Sequence, residues 1–211
     1  MPKRDQLLGE LGGEKDYGVL LVAQMGGVPN QIDLIIQTAE YDDAAQGLRP
    51  RHTYIVRALG VREHRLTVGM FGSLRWLDEH PLLYHHNAPK VAVYFDGTPQ
   101  DINELVLDIS QAHVMAYEGW RHLVDTDDIN RSVPMTTLLK KGFGVLGVMP
   151  KPLAERMGKV LEHHKIKHTD NEELPDDNTD EHGRSRLAKL LLIDQSYIIA
   201  LDFSVEELGK T

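Results

Sequence analysis

The stretch "KVAVYFDGTPQDINELVLDISQA", residues 90–112, decides the fold class. It begins with an apolar run typical of a buried strand. In the loop that follows, Thr98 can cap a helix, Pro99 suits the first helical position, and Asp101 favours a helix N-terminus. Apolar residues then recur at helical spacing, at Ile102, Leu105, Val106, Ile109 and Ala112. A strand followed directly by a helix predicts an α/β protein.

The same order of strand, loop and helix recurs elsewhere in the chain. Apolar runs typical of strands lie at residues 17–25, 143–149 and 196–203. After the first run, apolar residues at helical spacing predict a helix over 32–39, with Asn30 as its N-cap. After the second, they predict a helix over 153–161. After the third, Ser204 and Glu207 match a capping box, which predicts a short terminal helix.

Two further segments predict antiparallel hairpins. Residues 51–60 and 64–71 alternate apolar and polar side chains around the turn "GVRE", which predicts an Arg-rich hairpin. Residues 186–203 contain two apolar runs on either side of Asp194 and Gln195, and we interpret them as a second hairpin rather than a helix and a strand. The predicted fold class is therefore α/β (α+β), with helices packed on a mixed sheet. A ferredoxin-like two-layer sandwich is one such arrangement.

Composition predicts three segments along the chain. Residues 1–168 contain most of the strand and helix patterns and form the predicted α/β domain. Residues 169–183, "TDNEELPDDNTDEHG", are acidic and poor in apolar side chains, which is typical of a flexible loop. Residues 184–211 are too short to form a core of their own. Because their apolar runs need burial, we expect them to return to the same sheet.

The chain of 211 residues contains no cysteine, which excludes disulfides, cysteine-ligated metals and thiol catalysis. The N-terminal segment lacks the apolar core of a signal peptide, and no apolar run approaches the length needed to span a bilayer. We therefore expect a soluble cytoplasmic protein that does not bind a membrane. The net charge of −9 argues against nucleic-acid binding by the whole surface.

Charge is unevenly distributed along the sequence. Residues 46–76 carry six arginines and one acid, a net charge of +5, so the remainder of the chain carries −14. If Arg57 and Arg65 share a face with Arg51, they form a cationic surface suited to an anionic small molecule or an acidic protein segment. The alternative is a solvated sheet face on which these arginines pair with acids of the same protein.

Strand ends provide the other candidate ligand site. In α/β sheets, ligands favour the carboxyl ends of strands, where helix N-termini present free N–H groups. This rule selects Asp96, Gly97 and Thr98 after one strand and Lys151 after another. In this interpretation Asp96 is a weak catalytic candidate, and the other three bind ligand. The alternative is ordinary cap and turn chemistry.

Two histidine-rich segments are candidate metal sites. In "DEHPLLYHHN", residues 78–87, Pro81 excludes a continuous helix through the histidines, which favours a surface loop over a metal site. In "LEHHKIKH", residues 161–168, His164 and His168 are four residues apart and are weak metal candidates. The alternative is that they are helix-end residues. No cofactor is predicted.

These observations favour a binding or scaffold protein without evident catalytic machinery, which self-associates as a homo-oligomer. The first alternative is an enzyme that acts on an anionic, phosphorylated small molecule, with Asp96 as acid or base and Arg57, Arg65 or Lys151 holding the anion. The second alternative is a metal-binding protein that uses His164 and His168.

Overall fold

The computed structural model describes residues 3–172 and 186–210. The chain divides into two compact units, Met1–Glu79 with Arg186–Thr211, and His80–Ser185. The domain bounds expected from the sequence, 1–168, 169–183 and 184–211, stay a prediction. Among the described residues, no helix is long and apolar enough to cross a membrane.

The first unit consists of two antiparallel sheets and one short helix. Its elements are α1 (Lys3–Gly9), β1 (Asp16–Met25), β2 (Gln31–Asp42), β3 (Gly47–Leu59), β4 (Glu63–Arg65), β5 (Gly69–Phe71), β6 (Leu74–Leu77), β10 (Lys189–Ile193), β11 (Ser196–Ala200) and β12 (Asp202–Lys210). One sheet has the order β12-β3-β2-β1-β5 and the other the order β4-β11-β10-β6. Both sheets contribute buried side chains to one core, including Ile36 and Val56 from the first and Leu191 and Ile198 from the second.

The second unit is a two-layer sandwich of a small sheet and helices. Its elements are α2 (Tyr84–Asn87), β7 (Lys90–Asp96), α3 (Ile102–Ala116), α4 (Met135–Lys140), β8 (Phe143–Pro150), α5 (Lys151–His163) and β9 (Lys167–Glu172), with 3₁₀ turns at Pro81–Leu83 and Leu123–Asp125. The strand order is β8-β7-β9. Alternate residues of β7, such as Val93 and Phe95, pack with Ile109 of α3 and Met157 of α5.

The predicted α+β class is confirmed. The predicted mixed sheet is not found, because every described strand pairing is antiparallel. The second unit has three described strands, whereas a ferredoxin-like sandwich has four. The helices predicted after residues 98 and 150 are present as α3 and α5. Asp101, rather than Thr98, caps α3, because its carboxylate accepts from the backbone N–H groups of Asn103 and Glu104.

The helix predicted over 32–39 is wrong, because these residues form the middle of β2. β2 lies between β1 and β3, and its alternate side chains Ile32, Leu34 and Ile36 are buried. β-branched isoleucines favour a strand when both neighbours can pair with it. Asn30 is a turn residue with φ of 57° rather than a helix cap.

The predicted Arg-rich hairpin is also wrong. β3 pairs with β2 and β12, and β4 pairs with β11. The competing hairpin of β2 and β3 closes through a turn in which Asp42 accepts from the backbone N–H groups of Ala44 and Ala45. This local turn aligns two long strands. β3 therefore pairs with β2 rather than with the short strand β4.

The C-terminal segment contains one correct prediction and one error. The hairpin that turns at Asp194 is confirmed as β10 and β11. The helix expected from Ser204 and Glu207 is instead strand β12, in which Ser204 pairs with Arg57. Of the predicted acidic loop, residues 169–172 belong to β9, and the others, 173–183, lie outside the described residues.

Candidate functional site

The last two turns of α3 bring polar side chains into the core of the second unit. Leu105, Ile109, His113 and Tyr117 follow one another at four-residue spacing, and all four are fully buried. Residues four apart share a helix face, so His113 and Tyr117 continue the apolar face of α3. An imidazole and a phenol therefore lie where two more apolar side chains would be expected.

Asp128 meets these two side chains from the loop between α3 and α4. Its side chain is 1% exposed. The loop is held against β8 by a bridge between Ile129 and Gly147 and by a hydrogen bond from the Asn130 side chain to the carbonyl of Val145. A Cβ on Gly147 would overlap the backbone carbonyl oxygen of Asp128. Glycine at position 147 thus permits the close approach that places Asp128 in the core.

One oxygen of the Asp128 carboxylate, Oδ2, is hydrogen-bonded, whereas Oδ1 has no hydrogen-bond partner among the described residues. Oδ2 lies 3.1 Å from His113 Nε2 and accepts from the Tyr117 hydroxyl at 3.2 Å, while Thr126 Oγ1 lies 3.0 Å from the same His113 nitrogen. Burial alone would raise the pKa of Asp128. The contacts with His113, His85 and Thr126 outweigh burial and hold that pKa well below its usual range. Asp128 is therefore an ionised carboxylate in the core.

His85, on α2, is the member of this cluster that reaches the surface. Its ring lies nearly parallel to the Tyr117 ring, with centroids 5.7 Å apart and planes at 3°. Its Nε2 lies 2.8 Å from the Tyr117 hydroxyl and 3.3 Å from Asp128 Oδ1, and its side chain is 25% exposed. The segment before it turns at His80, whose Nδ1 accepts from the Leu82 N–H. We call His85, His113, Tyr117, Thr126 and Asp128 the Asp128 cluster.

The ionised carboxylate fixes the protons of the cluster. The Tyr117 hydroxyl donates its proton to Asp128 Oδ2, so its oxygen accepts from His85 at 2.8 Å and Nε2 carries the proton. Burial and the charge of Asp128 raise the pKa of Tyr117 well above its usual value, which keeps the phenol neutral. His85 Nδ1 then holds a lone pair. In the described part of the chain this nitrogen has no hydrogen-bond partner, and the side chain that carries it is 25% exposed.

His113 has the same proton arrangement but no access to solvent. Its Nε2 faces Asp128 and Thr126, and its buried Nδ1 has no hydrogen-bond partner among residues 3–172 and 186–210. A proton on this Nδ1 would be a buried donor without an acceptor, which is costly. The role of His113 is to orient Asp128 through its Nε2.

The residues predicted at strand ends are not brought together. Asp96 is the last residue of β7 and lies opposite Phe143 and Lys167. Lys151 lies at the other end of β7, where its backbone N–H donates to the carbonyl of Pro89. Because β7 and β8 are antiparallel, their carboxyl ends are separated by the length of the strand, about 20 Å. Gly97 and Thr98 follow Asp96 in the chain and lie at its end of the strand. Lys151 is too far from Asp96 for the two to hold one small ligand.

The arginines predicted to bind an anion contact groups of their own unit. Arg57 is on β3 and forms an ion pair with Glu206 at 2.6 Å. Arg65 is on β4 of the other sheet, where it donates to the Gln195 carbonyl and lies over the Tyr197 ring. These contacts agree with the alternative in which the arginines are partnered within the protein.

The two histidines proposed as metal ligands have separate partners. His164 Nε2 lies 2.8 Å from Asp108, and His168 lies 3.3 Å from Glu162 and 3.2 Å from Asp170. In the described part of the chain, no group of three or more His, Cys, Asp or Glu side chains is arranged to hold a metal ion.

Sequence reasoning did not find the Asp128 cluster. His85 lies in residues 78–87, for which the sequence favours a surface loop, and Asp128 lies in a segment without a motif. One signal was available, because His113 and Tyr117 occupy the i+4 and i+8 positions after Ile109 on an apolar helix face. Polar aromatic side chains at buried positions need partners, which predicts a buried polar cluster without identifying its carboxylate.

Comparisons with protein-family models, with curated protein sequences and with solved structures find no match for this chain. The functional interpretation therefore depends on the geometry of the described residues.

Proposed function

We propose that this protein binds a small neutral ligand at His85, through a hydroxyl or N–H group that donates to Nδ1. One observation carries the proposal: the Nε2 of His85 is held by the Tyr117 hydroxyl beside the buried, ionised Asp128, while Nδ1 has no partner among the described residues and the side chain is 25% exposed. An imidazole fixed at one nitrogen presents a directed acceptor at the other. The 2.8 Å hydrogen bond with the Tyr117 hydroxyl keeps the imidazole from rotating away.

The charge of Asp128 selects against anionic ligands. A ligand at Nδ1 lies one imidazole ring away from the carboxylate, which is close enough for repulsion in a partly buried site. The anionic ligand expected from the sequence depended on Arg57, Arg65 and Lys151, which contact Glu206, Gln195 and Glu172. A neutral ligand at His85 is therefore the better-supported proposal.

Benzyl alcohol is a suitable probe, because it joins a hydroxyl donor to an aromatic ring that can pack beside Tyr117. We expect saturable changes in the ring ¹⁵N signals of His85 when it is titrated into protein labelled at histidine. The change should be absent in His85→Gln and retained in His86→Gln, which alters the neighbouring histidine. Identical responses in the two variants would refute binding at His85.

A second candidate function is self-association through the outer face of β7 and β8. The side chains of Tyr94, Val148 and Phe143 are 43%, 41% and 69% exposed, on the sheet face opposite the helices. Lys90 and Asp96 lie at the two ends of the same row on β7. Under a two-fold axis near Tyr94, Lys90 of one copy would meet Asp96 of the other, so the face is self-complementary in charge. We propose that such a dimer works in the cytoplasm.

A further inference from the structure

We propose that His85 is a general base, which removes a proton from water as that water attacks the carbonyl carbon of a neutral carboxylic ester. This inference rests on the proposed binding site at His85 and adds a reaction to it. A buried carboxylate beside an imidazole whose other ring nitrogen has no partner among the described residues is the combination of groups that general-base catalysis uses.

The reaction uses only the protein, the ester and water. The Nδ1 lone pair of His85 takes a proton from water as the water oxygen forms a bond to the ester carbonyl carbon. The tetrahedral intermediate then collapses, the bond to the alkoxy oxygen breaks, and that oxygen takes the proton back from Nδ1. The products are a carboxylic acid and an alcohol, and His85 returns to its starting state.

Asp128 supports this step without touching the substrate. When Nδ1 takes the proton, His85 becomes an imidazolium whose Nε2–H donates to the Tyr117 hydroxyl at 2.8 Å, with Nε2 3.3 Å from Asp128 Oδ1. The ionised carboxylate stabilises the positive charge that develops on the ring. His113 and Thr126 keep Asp128 in place, so these three are positioning residues.

Water is favoured as the nucleophile because the hydroxyl of Thr126, which belongs to the cluster, and that of Ser132, on the same loop, have other partners. Thr126 is buried beside His113 and Asp128, and the Ser132 hydroxyl donates to the Asn130 side chain at 2.7 Å. The chain contains no cysteine. A neutral ester is favoured over a phosphate ester because the ionised Asp128 repels a dianion at Nδ1.

The test measures multiple-turnover hydrolysis of p-nitrophenyl acetate by the full chain. We expect His85→Ala to lower turnover by about 100-fold, the smaller end of the range for a lost general base. Added imidazole should restore part of the loss in His85→Ala, which a purely structural defect would not allow. The matched variant His86→Ala should turn over like the wild type.

Two further readouts identify the chemistry. General-base catalysis predicts slower turnover in D₂O and no accumulated acetyl group on His85 by mass spectrometry. p-Nitrophenyl phosphate should not be hydrolysed. Equal turnover by His85→Ala and the wild type, an acetylated His85 or hydrolysis of the phosphate instead of the acetate would each overturn the inference.

Failure of the reaction and failure of the binding site can be distinguished. If benzyl alcohol perturbs His85 but p-nitrophenyl acetate is not turned over, the ester reaction is wrong and the binding function stands. If benzyl alcohol leaves the His85 signals unchanged, the binding function and the reaction that rests on it are both wrong.

Discussion

Asp127 and Asp128 are adjacent in sequence and opposite in environment. The side chain of Asp127 is 100% exposed, whereas that of Asp128 is 1% exposed and faces two histidines and a tyrosine. We expect Asp128→Asn to lower the free energy of unfolding by about 1.5–3 kcal/mol, because it replaces charge-assisted hydrogen bonds in the core. Asp127→Asn should change it by less than about 0.5 kcal/mol. Denaturant unfolding of both variants checks the difference.

The difference in stability between the wild type and Asp128→Asn should depend on pH. The lowered pKa of Asp128 means that its contribution to stability is present above its unfolded value of 3.8 and is lost as the pH falls through the folded pKa. The gap between wild type and Asp128→Asn should therefore be full at neutral pH and shrink in strong acid. A gap that is constant down to strong acid would show that the charge of Asp128 is not what stabilises the fold.

His168 titrates in the opposite sense. Burial would lower its pKa, but hydrogen bonds with Asp170 and Glu162 raise it above the ordinary value of 6.5. A raised pKa gives stability that is present below 6.5 and is lost as the pH rises through the folded pKa. We expect His168→Gln to lower the melting temperature at about pH 5.5 and to have little effect at about pH 9. His163→Gln, an exposed change on α5, is the control, and equal effects of His168→Gln at both values would contradict the assignment.

At the scale of elements, the site depends on a contact between a loop and a strand. Because a Cβ on Gly147 would overlap the Asp128 carbonyl, Gly147→Ala must push the loop away from β8. We expect a loss of about 1–3 kcal/mol in stability, as for other overpacked positions. The displaced Asp128 should also release His85, which histidine NMR would detect. Gly27→Ala, where an added Cβ meets nothing within 4 Å, is the control.

The elements predicted best from the sequence are those whose pattern lies within the element or in the residues next to it. α3 and α5 follow from helical spacing and from polar or proline residues at their starts, which depend only on neighbouring residues. β2 was mistaken for a helix because Ile32, Ile35 and Ile36 also fit helical spacing. The deciding factor was its pairing with β1 and β3 on both sides, which is long-range and is not visible within the segment.

At the scale of the whole molecule, the outer face of β7 and β8 predicts a dimer. Tyr94→Lys places a charge in the middle of the exposed apolar row and should convert the dimer to a monomer, measured by native mass spectrometry at moderate salt. Leu107→Lys changes a similarly exposed apolar residue on α3 and should leave the dimer intact. A monomeric wild type, or a dimer that survives Tyr94→Lys, would exclude this face as the interface.

The candidate site could not be predicted because its members come from separate parts of the chain. His85, His113 and Asp128 meet only after α2, α3 and the loop before α4 pack around one core. The residues that sequence did select, Asp96 and Lys151, follow a rule for parallel sheets. That rule fails when β7 and β8 are antiparallel, because their carboxyl ends then lie at opposite edges.

The most direct test of the account is the position of the proton on the His85 ring. Long-range ¹H–¹⁵N NMR of histidine-labelled protein at neutral to mildly alkaline pH reports which ring nitrogen carries it. The account predicts that Nε2 is protonated and Nδ1 is bare, and that Asp128→Asn weakens this preference while Asp127→Asn leaves it unchanged. A proton on Nδ1 and a bare Nε2 in the neutral ring would contradict the account, because His85 would then present a donor to solvent where the proposed function needs an acceptor.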